Sequence, residues 1–341
     1  MTHAVALSVV EPSQAGEARR KAASLAIRLG FDEVEQGRVG IVVTELANNL
    51  VKHAQDGRLL LRSLERQGAT GLEILSLDKG PGMINIGECL RDGFSTSGTS
   101  GTGLGAIQRL SEQFEIYSVA PEGTAILSQL WSSVAYADAP LPKPKLEVGV
   151  VCLPKQGEEV SGDAYATQTV GDRQLLIVAD GLGHGPLAAQ ASLEAVRIFH
   201  EQGQYDPAEI MKNMHAALRS TRGAAVAIAE LNLQQQTVQY VGVGNIAGSL
   251  LDPESPTERS TSMVSHNGTV GFEMRKVQTF NYVWQPGGLL IMHSDGLGTK
   301  WRLDRYPGLI NQHPSLIAGI LYRDFNRERD DVTVLVVREV S

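Results

Sequence analysis

The residues best suited to chemistry are aspartates set beside glycine or in tight turns in the second half of the chain. They lie in Ser161-Gly162-Asp163, Ala179-Asp180-Gly181-Leu182-Gly183-His184-Gly185, Ser294-Asp295-Gly296 and Arg329-Asp330-Asp331-Val332-Thr333. One Asp-Gly pair alone is an ordinary turn signal. Two of these motifs follow apolar runs, so Asp180 and Asp295 are expected at strand ends, and Asp330 at a strand start. Neighbouring strand ends can meet at one rim, where carboxylates repel unless cations neutralise them. Oxygen-only ligands favour Mg2+ or Mn2+. A pair of such ions can orient a phosphate and present an acidified water in line with phosphorus. No cysteine sits in a Cys-x5-Arg loop, so thiol-based phosphatase chemistry is not expected.

A second constellation precedes this one. Glu45 and Asn49 stand at i, i+4 in a helical pattern, on one face and one turn apart. A carboxylate and a side-chain carbonyl so placed can address one Mg2+–phosphate–water cluster. Asp78-Lys79-Gly80-Pro81-Gly82-Met83 follows a strand-like run. An aspartate there can accept from an adenine amino group, while Gly80 and Gly82 let backbone approach the ring. Gly101, Gly103 and Gly105 lead into a helix, where free N–H groups suit phosphate oxygens. No GxxxxGK[ST] loop occurs, which excludes the usual P-loop site.

The elements that must hold these groups follow from periodicity. The first half predicts a strand over 4–10, helices over 14–29 and 34–54, strands over 59–64 and 72–77, a helix over 104–112, and strands over 114–119 and 124–131. In the second helix Val39, Val42, Val43, Leu46 and Leu50 form one apolar stripe. This is an α+β arrangement, helices beside a mostly antiparallel sheet. Pro140, Pro142 and Pro144 make 135–145 an extended connector between domains at 1–134 and 146–341. The second domain predicts strands over 146–152, 164–170, 174–179, 224–231, 237–243, 276–282, 289–293 and 332–337, with helices over 186–202, 207–219 and 314–326. Two sheets packed face to face with helices outside are expected.

A chain of 341 residues fits two domains. A net charge of −8 argues against a nucleic-acid footprint and a polybasic membrane anchor. No apolar run is long enough to span a bilayer, and the N-terminus lacks signal-peptide regions. Cys89 and Cys152 are far apart and predict reduced thiols, hence a cytoplasmic location.

The first half resembles the N, G1 and G2 boxes of the GHKL (Bergerat) ATPase/kinase superfamily, most closely its RsbT-type, anti-sigma-factor serine kinases. The resemblance implies an α/β sandwich in which Glu45 activates the attacking group and Asn49 binds Mg2+. Asp78 would hold the adenine of ATP, supported by Gly123-Thr124. The lid, residues 84–102, is short as in the serine kinases, and no histidine-kinase activity is implied. The second half resembles SpoIIE, RsbU and RsbX phosphatases, a branch of the protein phosphatase 2C fold with an α-β-β-α sandwich. By that resemblance Asp163, Asp180, Asp295 and Asp330 ligate metal through carboxylates and Gly181 through its carbonyl, with Asp180 and Asp295 central to catalysis. Asp331 would stand behind the ligands.

The expected function is a bifunctional partner-switching enzyme. One domain phosphorylates serine or threonine on a STAS-type partner with Mg-ATP, and the other removes phosphate using Mg2+ or Mn2+. The alternative is a nucleotide-sensing GHKL module that regulates the phosphatase without transferring phosphate. A homodimer is compatible with either. His184 reads as a backbone cap or a general acid, His293 as packing, and His53 as a residue within reach of phosphate.

Overall fold

The computed structural model describes residues 4–66, 68–91, 103–133, 144–252 and 260–340. Most of the proline-rich connector and most of the lid, with Gly101, lie outside them. The chain divides into two compact units, Met1–Lys143 and Pro144–Ser341.

In the first unit, α1 (Pro12–Arg28) and α2 (Glu33–His53) cover a sheet of β1 (Val5–Ser8), β2 (Arg58–Arg66), β3 (Ala69–Leu77), β4 (Gln113–Val119) and β5 (Gly123–Trp131). The strand order is β1-β2-β3-β5-β4, every pair antiparallel. Asp32 starts α2: its carboxylate accepts from the Glu35 N–H at 2.8 Å, and Glu35 accepts from the Asp32 N–H at 2.7 Å. This reciprocal cap satisfies donors that a helix start otherwise leaves open. The predicted stripe of α2 is fully buried against Leu59, Leu61, Leu72 and Ile74 of the sheet. Each such aliphatic side chain stabilises the fold by about 1.5–3 kcal/mol. Short helices α3 (Ile86–Cys89) and α4 (Gly103–Leu110) follow β3; α3 carries no periodic signal and was not expected.

The second unit is an α-β-β-α sandwich. One sheet has the order β13-β10-β9-β8-β7, with β14 also paired to β10. Its strands are β7 (Asp163–Val170), β8 (Arg173–Gly181), β9 (Ala224–Asn232), β10 (Thr237–Val243), β13 (Ser265–His266) and β14 (Phe280–Val283). The facing sheet runs β12-β11-β15-β16-β6, from β6 (Leu146–Leu153), β11 (Ala247–Leu251), β12 (Thr261–Met263), β15 (Leu289–His293) and β16 (Val332–Glu339). Between the sheets lie Val150, Leu176, Val178, Tyr240, Leu290 and Leu335, all buried. Helices α5 (Pro186–Glu201) and α6 (Pro207–Ala217) pack on the outer face of the first sheet, and α7 (Pro314–Phe325) on β6 and β16.

Three short strands, β11 to β13, were not anticipated, because two to five residues show no usable alternation. The strand expected over 276–282 is confined to β14, since only its last part pairs with β10.

Arg62 and Glu73 sit directly opposite each other on β2 and β3 and form a buried ion pair at 2.8 Å. Gln129 of β5 donates to the other Glu73 oxygen at 2.8 Å. Removing one partner strands a charge in a dry place. Glu73→Ala is therefore expected to lower stability in urea unfolding by about 3 kcal/mol; a loss below about 1 kcal/mol would show that the pair is solvated.

Candidate functional sites

In the first unit, Asp78 follows the last residue of β3. Its N–H donates to the Thr124 carbonyl at 2.9 Å, and its Oδ1 accepts from the N–H groups of Gly80 at 2.7 Å and Thr124 at 3.3 Å. The carboxylate is thus fixed by backbone before any ligand arrives. Gly123 has φ +99°, and a β-carbon there would stand 2.1 Å from the Asp78 carbonyl oxygen. Only glycine permits this approach. Lys79 N–H donates to the Gln55 carbonyl at 2.9 Å, tying the loop to the end of α2. Glu45 and Asn49 are half-buried on α2. Gly103 opens α4 so close to Glu45 that a β-carbon would meet its Oε2 at 2.6 Å.

The predicted residues Glu45 and Gly103 therefore adjoin, as do Asp78, Gly80 and Thr124. Gly82 takes a left-handed turn against Val119, Gly105 is buried in α4, and His53 is exposed at the end of α2. Sequence reasoning missed Ser118, whose hydroxyl bridges the Met83 N–H at 2.8 Å and the Thr124 hydroxyl at 2.9 Å. Its signal is weak, a polar residue in register with Thr124.

In the second unit, Asp163 and Asp180 face each other across β7 and β8. Asp163 is 1% exposed. The Ser294 hydroxyl donates to its Oδ2 at 2.6 Å, while its buried Oδ1 has no hydrogen-bond partner. The Asp331 Oδ1 accepts from the Lys155 N–H at 2.8 Å, and its Oδ2 is likewise buried and unpartnered. The Asn245 amide donates to Asp295 Oδ2 at 2.7 Å, and Asp330 accepts from the Asp331 N–H at 2.9 Å. The Gly181 backbone is pressed against α5, where a β-carbon would stand 2.0 Å from the Ala188 carbonyl oxygen.

Electrostatics shows that these groups share one region. Burial, then the charges of Asp163, Asp295, Asp330 and Asp331, push the Asp180 carboxyl well above the usual range. Asp163 is raised by burial, with Ser294 pulling against it and Asp331 adding to it. Among the described residues, no three acidic, histidine or cysteine side chains already converge on one point. Ser294, Asn245 and the Lys155 N–H each hold a different carboxylate by its own hydrogen bond. The orphaned buried oxygen of Asp163 and an all-oxygen donor set fit divalent cations.

Two histidines differ from expectation. His184 does not cap α5, which has no side-chain cap; its Nδ1 meets Glu158 Oε1 at 2.6 Å. His293 is more than packing. The Trp301 indole donates to its Nε2 at 3.2 Å, which leaves Nδ1 to donate to the Ser294 carbonyl at 2.9 Å. Burial lowers its pKa and favours this neutral form. Trp301 and His293 thus brace the backbone of Ser294, which holds Asp163.

The family model described as Histidine kinase-like ATPase domain matches residues 9–129. Serine/threonine-protein kinase RsbT of Bacillus subtilis (strain 168) is 40% identical over 114 residues, which is 33% of this chain and 86% of that protein. The chain belongs to the RsbT-like branch of the histidine kinase-like ATPase family. The model described as Stage II sporulation protein E (SpoIIE) matches residues 171–339, so the second unit is a SpoIIE-type domain. That match begins after Asp163, which is brought to the site by its register with Asp180. Phosphoserine phosphatase RsbX of the same organism is 28% identical over 145 residues, 42% of this chain and 71% of that protein. A structure from work on the bacterial stressosome, 28% identical, has a TM-score of 0.53 and covers 57% of this chain and 100% of that one. RsbX in complex with magnesium has a TM-score of 0.50 at 24% identity, covering 58% and 98%, and shares the fold.

The raised Asp180 pKa has a direct consequence for the RsbT-like, SpoIIE-type chain. Its folded carboxyl binds a proton more tightly than the unfolded one, so the metal-free fold loses stability as pH rises above the ordinary aspartate value. Between about pH 5 and pH 8 in EDTA, unfolding stability is expected to fall by about 1–3 kcal/mol. Asp180→Asn should flatten that slope, and Mn2+ should restore stability at the higher pH. A slope unchanged in Asp180→Asn would show that the charge strain lies elsewhere.

Proposed function

We propose that this chain is a cytoplasmic, bifunctional partner-switching enzyme, a serine/threonine kinase and an opposing phosphatase joined by a proline-rich connector. Residues 1–134 would form the kinase, 135–145 the connector and 146–341 the phosphatase. The observation that carries the reading is the acidic centre, where burial and the neighbouring carboxylates raise the proton affinity of Asp180 and Asp163, and where no lysine or arginine among the described residues is paired to them.

Asp163, Asp180, Asp295 and Asp330, with the Gly181 carbonyl, would hold Mg2+ or Mn2+. Two such ions supply charge neutralisation for phosphate oxygens and acidify water. The chain's own groups fix the rest. Ser294 keeps Asp163 turned one way, Asn245 orients Asp295, and Lys155 N–H holds Asp331 behind the ligands.

In the first unit, Asp78 with Thr124 would take the adenine of ATP, and Gly80 and Gly82 would admit the ring. Gly101, Gly103 and Gly105 would line the phosphates, and Asn49 would carry Mg2+. Glu45 would accept the proton of the partner's hydroxyl as its oxygen bonds to the γ-phosphorus and ADP leaves. The likeness to RsbT, RsbX and a stressosome structure supports a STAS-domain protein as the shared substrate.

The test is phosphate transfer from labelled ATP to a STAS-domain protein by the full chain carrying Asp180→Asn, so that the product is not erased. Transfer is expected, and adding Glu45→Ala should cut its rate by about 100-fold or more while ATP binding persists. If Glu45-intact protein transfers nothing, yet ATP changes the wild-type phosphatase rate, the first unit is a nucleotide sensor rather than a kinase.

A further inference from the structure

The rim of the acidic centre carries a cation that nothing above uses. Arg222 precedes β9 and is exposed, with no hydrogen bond or ion pair to any described residue. Its position is nevertheless defined. Leu182 N–H donates to the Gly223 carbonyl at 3.0 Å, which fastens the loop after Asp180 to the backbone beside Arg222. Arg222 Nη1 lies 3.1 Å from where a β-carbon on Gly183 would stand. Gly181, on the same loop, pairs with Ala224, two residues beyond Arg222. On the other side, Gly223 adjoins Thr269 and Val270, and the turn they begin presents Phe272 at 82% exposure. Leu182 and Leu187 on the loop and at the start of α5 are also exposed.

An isolated guanidinium beside a group of carboxylates would ordinarily be drawn into an ion pair. Here Arg222 is exposed and forms no ion pair with any described residue. Resting on the phosphatase reading above, we infer that Arg222 binds the phosphoryl oxygens of a phosphorylated protein segment. Leu182, Leu187 and Phe272 then take the residues flanking the phosphoamino acid. The charge logic favours this occupant. A phosphomonoester dianion approaching an acidic centre gains from a fixed cation at the rim, and guanidinium matches two phosphate oxygens at once. Apolar side chains around it select a peptide over a free phosphate ester.

The full-length chain is assayed in Mn2+ with p-nitrophenyl phosphate and with a phosphoserine peptide bearing apolar residues on both sides. Inorganic phosphate serves as a product inhibitor. Arg222→Ala should raise KM for both substrates and the inhibition constant of phosphate by about tenfold, with a smaller change in kcat. Arg222→Lys should recover part of the loss. Phe272→Ser should raise KM for the peptide by more than for p-nitrophenyl phosphate. Because both side chains are exposed, melting temperatures should match the wild type. Unchanged KM and phosphate inhibition in Arg222→Ala, with an active wild type, would overturn this inference alone. A wild-type chain without metal-dependent turnover would overturn the phosphatase reading and this inference with it.

Discussion

Repulsion among buried and half-buried carboxylates is the constraint around which the second unit is arranged. Asp163 and Asp180 are forced together by the register of β7 and β8, and Asp295, Asp330 and Asp331 add their fields. A fold stabilised by a few kcal/mol does not gather such charges for stability's sake. Among the described residues, the surrounding structure answers the repulsion with neutral hydrogen-bond donors rather than with basic partners. Ser294, Asn245 and the Lys155 N–H each occupy one carboxylate oxygen, and the oxygens left over are those a cation would need. The outer parts follow from the same demand. Trp301 and His293 hold Ser294, and α5 closes on Gly181 so tightly that no side chain fits.

The first unit meets a different constraint, that of holding one carboxylate in place with backbone donors. Asp78 is held by backbone N–H groups from its own loop and from β5, and Gly123 lets that strand come close enough. Glu45 is placed by α2, whose buried stripe fixes the helix rotation about its axis. A change in that stripe would move Glu45 relative to Gly103 without touching either.

Much of this was legible in the sequence because it is local. The α2 stripe has a clean helical period, and the runs before Asp180 and Asp295 are apolar strands. Register was not legible. Nothing near Asp163 in sequence announces that Ser294 will donate to it, that Lys155 will meet Asp331, or that Glu158 will take the His184 ring. Those contacts join residues that only the sheet order brings together. Strands β11 to β13 were hidden for a related reason: they are too short to show a period and exist because neighbouring strands offer open edges.

The central claim is that the acidic centre of the second unit is built to be neutralised by divalent cations. Calorimetric titration of Mn2+ into the metal-stripped full-length chain at neutral pH, without nucleotide, tests it most directly. About two ions per chain should bind, and the Asp163→Asn/Asp295→Asn double variant, folded by circular dichroism, should lose that binding. A folded wild-type chain that takes up no Mn2+, or a double variant that binds it equally well, would contradict the account.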